Sequence, residues 1–182
     1  MGHGTVPEPM SDDGGPLTPL ARVERKKGVF FLSLHVAIPI IVGAAMYTLW
    51  RSTKLYVFAW YRWAGLSQPV LSLRAYAHGL KHLVPGPVLY SLPDALWVYS
   101  FTILLKYIWA EYPNGHSKTT WPLLPVTLAV GAELGQAVKI VPGTFDVMDL
   151  LGYFGACTAA FMVVRRSSQN NSAHLEQNGS RA

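Results

Sequence analysis

The chain has 182 residues, of which 51% are hydrophobic and 14% are charged, whereas charged residues make up about 25% of an average soluble domain. Because the apolar residues are gathered into long runs, this shortage of charge excludes an ordinary soluble globule and predicts a polytopic membrane protein. The net charge of +5 comes from basic residues that flank these runs, so we expect contact with membrane lipids and no binding of nucleic acid.

The N-terminal part predicts a tail followed by a membrane anchor. Residues 1–28 are rich in Gly, Pro, Asp and Ser, which is typical of a disordered segment. They end in four basic residues, Arg22, Arg25, Lys26 and Lys27. The first predicted span covers residues 29–50 and contains Pro39, which predicts a kink. Its apolar core lies too far from the N-terminus for a signal peptide, so we expect a retained anchor.

Residues 51–90 predict an interfacial segment on the outer side of the membrane. The stretch 55–63 is too short and too aromatic to span alone, and it suits a helix that lies in the interface or extends the first span. A second amphipathic stretch ends at Pro85-Gly86-Pro87. It carries four basic or titratable side chains, Arg74, His78, Lys81 and His82. The pair His78 and His82 could share a metal, but a basic interfacial face is the preferred interpretation.

Three further spans are predicted in the second half of the chain. Residues 92–109 follow a helix start in which Ser91 is the N-cap and Asp94 completes a capping box. Residues 121–141 and 145–164 form the third and fourth spans, and Arg165-Arg166 ends the last one. The predicted fold is therefore all-α: a bundle of four transmembrane helices plus the interfacial segment, in one domain over residues 29–166. Residues 167–182 predict a disordered tail.

Four spans place both termini on one side of the membrane. Basic residues next to the span ends favour cytoplasmic termini. The first-turn acids Asp94, Asp146 and Asp149 then lie near the outer interface. Glu133 is eight residues before Val141, which places it about 12 Å deeper at 1.5 Å per residue.

Glu133 carries most of the functional argument. A carboxylate within an apolar span costs about 2.5–3.5 kcal/mol on insertion scales and usually marks a function. Gln136 shares its helix face, and Asp146, Asp149 and Tyr153 share a face of the next helix. Because residues 142–144 form a very short connection, the two helices should be antiparallel neighbours whose polar faces meet.

The predicted pocket therefore has six candidate ligand-binding residues: Glu133, Gln136, Asp146, Asp149, Asp94 and Tyr153. If it holds a metal, Glu133, Asp146 and Asp149 are the candidate ligands, and Mg²⁺ or Ca²⁺ is the expected ion because hard cations take oxygen ligands. Each acid also has a structural alternative. Asp94 could only cap its helix, Asp146 and Asp149 could form a capping arrangement, and Glu133 could be a buried carboxylate that serves packing.

The pattern Glu133-x-x-Gln136, followed by a short loop, Phe145-Asp146-x-x-Asp149 and Gly155, resembles the VanZ-like family over roughly residues 90–165. The resemblance implies a small multi-pass protein of the bacterial cytoplasmic membrane and, through the member that names the family, a link to resistance against teicoplanin. Two positions depart from the family pattern. Pro142-Gly143-Thr144 stands where an Arg often precedes the first Asp, and Tyr153 stands where the family tends to carry Asn.

Two functions remain open at this point. The first is a membrane protein of the cell envelope that binds a ligand in an outer acidic pocket, either a lipid headgroup through a cation or a cationic ligand. The second is a scaffold subunit that assembles with a membrane-protein partner or with copies of itself. An enzyme is less favoured, because no nucleophile or dedicated base stands out.

Overall fold

The structure, a computed structural model, describes residues 19–53, 56–110 and 117–179. Within these ranges every regular element is helical, which confirms the all-α prediction. Nine α-helices follow one another: α1 Pro19–Leu32, α2 Ile38–Trp50, α3 Tyr56–Trp63, α4 Ser67–Gly79, α5 Gly86–Tyr90, α6 Leu92–Ile108, α7 Ser117–Thr120, α8 Leu124–Ala137 and α9 Val147–Gly179. Short 3₁₀ turns at Lys81–Leu83 and Trp121–Leu123 precede α5 and α8.

Among the described residues, two helical stretches are long and apolar enough to cross a membrane, Lys26–Trp50 and Val147–Arg165. They coincide with the first and fourth predicted spans. The helices at the other two positions are shorter, with 17 residues in α6 and 14 in α8, whereas a bilayer core takes about 20. α8 is short because Trp121–Leu123 form a 3₁₀ turn and the helix stops before Lys139, which has a φ of 60°.

Residues 19–28 and 167–179 of the two predicted tails lie in helices of the structure, α1 and α9. Residues 1–18 and 180–182 lie outside the described residues. α1 begins at Pro19, and proline is well suited to the first position of a helix. At the other end α9 continues past Arg165 to Gly179, because adding residues to an existing helix requires no new nucleation.

The first long helix is continuous through its proline. A π-helical turn, Ser33–Ala37, joins α1 to α2, and the Ile38 N–H donates to the carbonyl of Ser33. Pro39 has no N–H to offer the carbonyl of His35, and the wider turn accommodates that loss. His35 lies in this turn, and its Nδ1 is 2.7 Å from the Tyr99 hydroxyl of α6. The π turn therefore places a polar contact between the first long helix and α6.

The segment after the first long helix is tied to the end of α2. α2 stops at Trp50 because Arg51 is extended, so the aromatic stretch is a separate helix, α3, and does not extend the first span. Arg74 of α4 is buried and donates to the backbone carbonyls of Thr48 and Arg51. Since the last carbonyls of a helix lack partners within it, the Arg74 guanidinium caps α2 and fixes α4 beside it.

The centre of the bundle is α6, which packs against α2, α8 and α9. A core cluster of Val98, Val126, Tyr153 and Cys157 joins α6, α8 and α9. Against α2 the approach is closest at Gly43. A Cβ on this glycine would lie 3.0 Å from the Trp97 ring and 3.1 Å from the Pro93 carbonyl oxygen. A side chain at position 43 would therefore require the Trp97 ring or the backbone at Pro93 to move by a few tenths of an ångström.

We expect Gly43→Val to lower the free energy of unfolding by about 1–3 kcal/mol, because overpacking at a close helix contact forces the backbones apart. Gly131→Val is the matched control, since a Cβ at Gly131 meets nothing within 4 Å, and we expect a change within about 0.5 kcal/mol. Denaturant titration in micelles, followed by circular dichroism, measures both. Equal stability of the two variants would contradict the packing described for Gly43.

Candidate functional site

Glu133 links α8 to the start of α9. Its side chain is buried, with only 2% of the residue exposed, and its Oε1 accepts a hydrogen bond of 2.5 Å from the backbone N–H of Asp146. The N-terminal end of a helix carries partial positive charge, so the start of α9 provides a favourable environment for this carboxylate. The structure therefore brings the polar parts of the last two helices together, as the short connection predicts.

Asp146 contributes its backbone to the site and its side chain to the helix end. Its Oδ1 accepts a hydrogen bond of 2.8 Å from the N–H of Met148, which is the arrangement of an N-cap residue. The side chain is exposed. The capping alternative thus describes the Asp146 carboxylate, and this group is not one of the buried acids.

Asp94 pairs with a residue that the sequence did not single out. Its Oδ2 lies 3.1 Å from Nη2 of Arg51, and the same Nη2 donates to the Tyr90 carbonyl at 2.8 Å. Ser91 occupies the N-cap position of α6 without a side-chain capping bond, and within the described residues its buried hydroxyl has no hydrogen-bond partner. The predicted capping box is therefore not formed, because Asp94 is engaged by Arg51.

Sequence reasoning did not predict a role for Arg51. A signal for its role was present. Arg51 directly follows the first predicted span and Asp94 opens the second, so the predicted topology puts both at the same membrane face. Arg51 also lies over the rings of Tyr47 and Tyr90, at 5.2 and 5.7 Å from their centroids, and these contacts orient its guanidinium.

Asp149 and Tyr153 complete the buried polar group. Asp149 lies in the first turn of α9, and its buried Oδ1 has no hydrogen-bond partner among the residues the structure describes. Tyr153, one turn later, is 6% exposed and lies within electrostatic range of Asp94, Asp149, Glu133 and Arg51. We call Asp94, Glu133, Asp149 and Tyr153 the acidic cluster.

Gln136, predicted for the same pocket, lies against the connecting loop. A Cβ placed on Gly143 would overlap the Gln136 side chain, at 2.4 Å from its Oε1. Gly143 has a φ of 147°, a conformation that favours glycine. Gln136 and Gly143 therefore shape the connection between α8 and α9.

The described residues contain no group of three or more His, Cys, Asp or Glu side chains placed to hold a metal ion. The predicted ligand set of Glu133, Asp146 and Asp149 is not gathered, because the Asp146 carboxylate caps α9 at the surface. The site therefore combines the buried carboxylate of Glu133 with the partly buried carboxylates of Asp94 and Asp149 and the guanidinium of Arg51.

A cavity of about 440 Å³ adjoins the acidic cluster between α6, α8 and α9. Two of its lining residues, Asp94 and Tyr153, belong to the cluster. The rest of the wall is apolar and consists of Trp97, Val98, Phe101, Leu104, Leu105, Leu124, Pro125, Leu128 and Ala129. Ligand pockets typically have volumes of about 300–1,000 Å³, with apolar walls and a few polar groups, and this cavity has that composition.

Comparison of the chain with protein-family models, with curated proteins and with solved structures found no match. The interpretation of the site therefore depends on its own chemistry. Three carboxylates act on Tyr153 together with one guanidinium. Since burial penalises charge that lacks a counter-charge, the arrangement favours a positively charged ligand over an anion.

Proposed function

We propose that the chain is a VanZ-like multi-pass protein of the bacterial cytoplasmic membrane that binds a cationic ligand of the cell envelope through the acidic cluster. In this proposal α6 and the region of α8 supply the second and third crossings, and both termini are cytoplasmic. The cluster then opens toward the outer leaflet. The family assignment follows from the resemblance of Glu133-x-x-Gln136 and Asp146-x-x-Asp149 to the VanZ-like pattern.

The observation that carries the proposal is the excess of carboxylates over cations at a sheltered position. Glu133 is almost fully buried, and a buried oxygen of Asp149 lacks a partner among the described residues. The ion pair given among the described residues joins Arg51 to Asp94. An intramembrane acid is usually functional, and a bound cation would offset the remaining negative charge.

A cationic ligand fits this site better than a lipid phosphate held through Mg²⁺ or Ca²⁺. Ca²⁺ takes six to eight oxygen ligands and Mg²⁺ six, some of them water, and the part of the chain that the structure describes contains no group of three or more His, Cys, Asp or Glu side chains placed to hold either ion. An ammonium or guanidinium group needs only one or two acceptors, which Asp94 and Asp149 supply.

The decisive test is complementation of a deletion strain. We expect Asp149→Asn to abolish rescue of growth under teicoplanin or another envelope-acting antibiotic, because the amide lacks the charge that attracts the ligand. Asp146→Asn is the matched control. It makes the same chemical change at the exposed cap, where Asn and Asp are equivalent, and it should retain rescue. Immunoblots of membranes verify equal amounts. Full rescue by Asp149→Asn would overturn the proposal.

A second candidate function is that of a scaffold subunit, which the aromatic surface of α3 favours. Tyr56, Trp60 and Trp63 are 87%, 69% and 92% exposed, and large exposed apolar patches mark membrane or protein contacts. Purification from native membranes distinguishes the two functions. A stoichiometric partner that is lost in Trp63→Ala, together with full rescue by Asp149→Asn, would favour the scaffold.

A further inference from the structure

The cavity beside the acidic cluster is elongated and has one polar end. Its wall follows α6 from Asp94 to Leu105, a distance of about 16 Å at 1.5 Å per residue. Apolar residues of α6 and α8 line it below Asp94 and Tyr153. A space of this shape and composition matches an alkyl chain that carries one polar head.

The polar end has hydrogen-bonding groups that the protein does not use. Tyr153 is 94% buried, being 6% exposed, and its hydroxyl makes no hydrogen bond to another described residue. Asp94 engages Arg51 through Oδ2, which leaves Oδ1 without a described partner. Neither oxygen is among the fully enclosed unpaired atoms of the described residues, and both residues line the cavity, so a ligand head with complementary hydrogen-bonding groups could reach them.

The charge at this end selects the kind of head. Tyr153 and Asp94 lie within the field of Glu133 and Asp149, and Arg51 is the single cation that acts on them among the described residues. An anionic head would be repelled, whereas an ammonium group could donate to both the Asp94 carboxylate and the Tyr153 hydroxyl. The head is therefore expected to be cationic.

The cavity also has an entrance for a membrane-dissolved molecule. Three lining residues, Trp97, Phe101 and Leu128, are 43%, 39% and 64% exposed, so the cavity reaches the apolar outer surface of the bundle. In the proposed topology this surface faces lipid. An amphiphile could therefore enter laterally from the bilayer, and its alkyl chain would then lie between α6 and α8.

We propose that this cavity binds a single-chain amphiphile with a primary ammonium head, its chain between α6 and α8 and its ammonium between Asp94 Oδ1 and the Tyr153 hydroxyl. The inference depends on the proposed function, because it names the ligand class of the same site. A net-cationic amine is the occupant, since a zwitterionic lipid would bring its phosphate next to the carboxylates.

Photolabelling of the full chain in nanodiscs tests this assignment. The probe is dodecylamine with a diazirine in its chain, and mass spectrometry maps the labelled residues. We expect labelling of α6 and α8 around Phe101 and Leu128 to exceed labelling at lipid-facing Ile41, and plain dodecylamine to displace it. The matching dodecanoic acid probe should label the cavity about tenfold less, which corresponds to about 1.4 kcal/mol. Equal labelling by amine and acid would overturn the proposal.

Variants separate a specific site from partitioning into an apolar surface. Asp94→Asn and Tyr153→Phe should each reduce cavity labelling by the amine, while labelling at Ile41 stays constant. Asp146→Asn, the control at the exposed cap, should leave cavity labelling unchanged. If circular dichroism shows that either site variant is misfolded, the comparison of the amine and acid probes on the unaltered chain still tests the proposal. Displacement of the amine by lysophosphatidylethanolamine as effective as by dodecylamine would overturn the cationic assignment.

The outcomes also separate this inference from the proposed function. Cavity labelling by the amine together with full rescue by Asp149→Asn would uphold the ligand site and refute the envelope function. Loss of rescue in Asp149→Asn without preferential cavity labelling would uphold the envelope function and refute the amphiphile as the ligand.

Discussion

Replacing Glu133 with alanine is expected to lower the free energy of unfolding by about 2–4 kcal/mol. Two effects contribute. The N–H of Asp146 loses its acceptor, and the removal of an almost fully buried side chain leaves a void between α8 and α9. Denaturant titration in micelles, followed by circular dichroism, gives the size of the loss.

Glu133→Gln is the control for this experiment. The Gln amide oxygen can accept the same hydrogen bond and fills nearly the same volume, so we expect a loss within about 1.5 kcal/mol. The negative charge is removed, however, and with it part of the attraction for a cation. A stable Gln variant that no longer complements would therefore assign the charge to function and the hydrogen bond to folding. Wild-type stability of the Ala variant would contradict the link between α8 and α9.

Replacing Arg51 with methionine is expected to cost about 2–3 kcal/mol. The side chains of Arg51 and Asp94 are 30% and 37% exposed, so the loss should lie between the range of about 0–1 kcal/mol for exposed pairs and that of about 3–5 kcal/mol for buried ones. The Asp94 carboxylate would remain near Asp149 and Glu133 without its counter-charge, and the Tyr90 carbonyl would lose a donor. The same titration measures the effect.

The double variant Arg51→Met with Asp94→Asn checks whether charge is the cause. Removing the carboxylate as well should recover about half of the loss, because coupled residues are not additive in their effects on stability. Strictly additive losses would show that Arg51 stabilises the fold through its packing on Tyr47 and Tyr90 and not through the ion pair. This cycle also shows how much of the Asp94 charge remains for a ligand.

Periodicity and composition were sufficient for the helical class and for the first and last apolar helices, since a long apolar run has few structures open to it in a membrane. They were not sufficient at helix ends. The predicted tails became parts of α1 and α9, and the predicted third span ends at Ala137. Where a helix ends depends on the groups that bond its terminal N–H and carbonyl groups. Arg74 bonds the last carbonyls of α2, and Asp146 caps the start of α9.

The amino-acid sequence singled out Glu133, because a carboxylate in an apolar run is costly wherever the helix lies, and it grouped Asp149 and Tyr153 on one face of the next helix by their spacing. It also predicted that Glu133 lies near the start of the next helix, because a three-residue connection makes the two helices antiparallel neighbours. Only the tertiary structure decided that Arg51 pairs with Asp94, that Asp146 turns outward to cap α9, and that the Gln136 side chain lies against the loop. These choices depend on how α2, α6, α8 and α9 pack in space, and spacing along one helix carries no information about contacts with a helix far away in the chain.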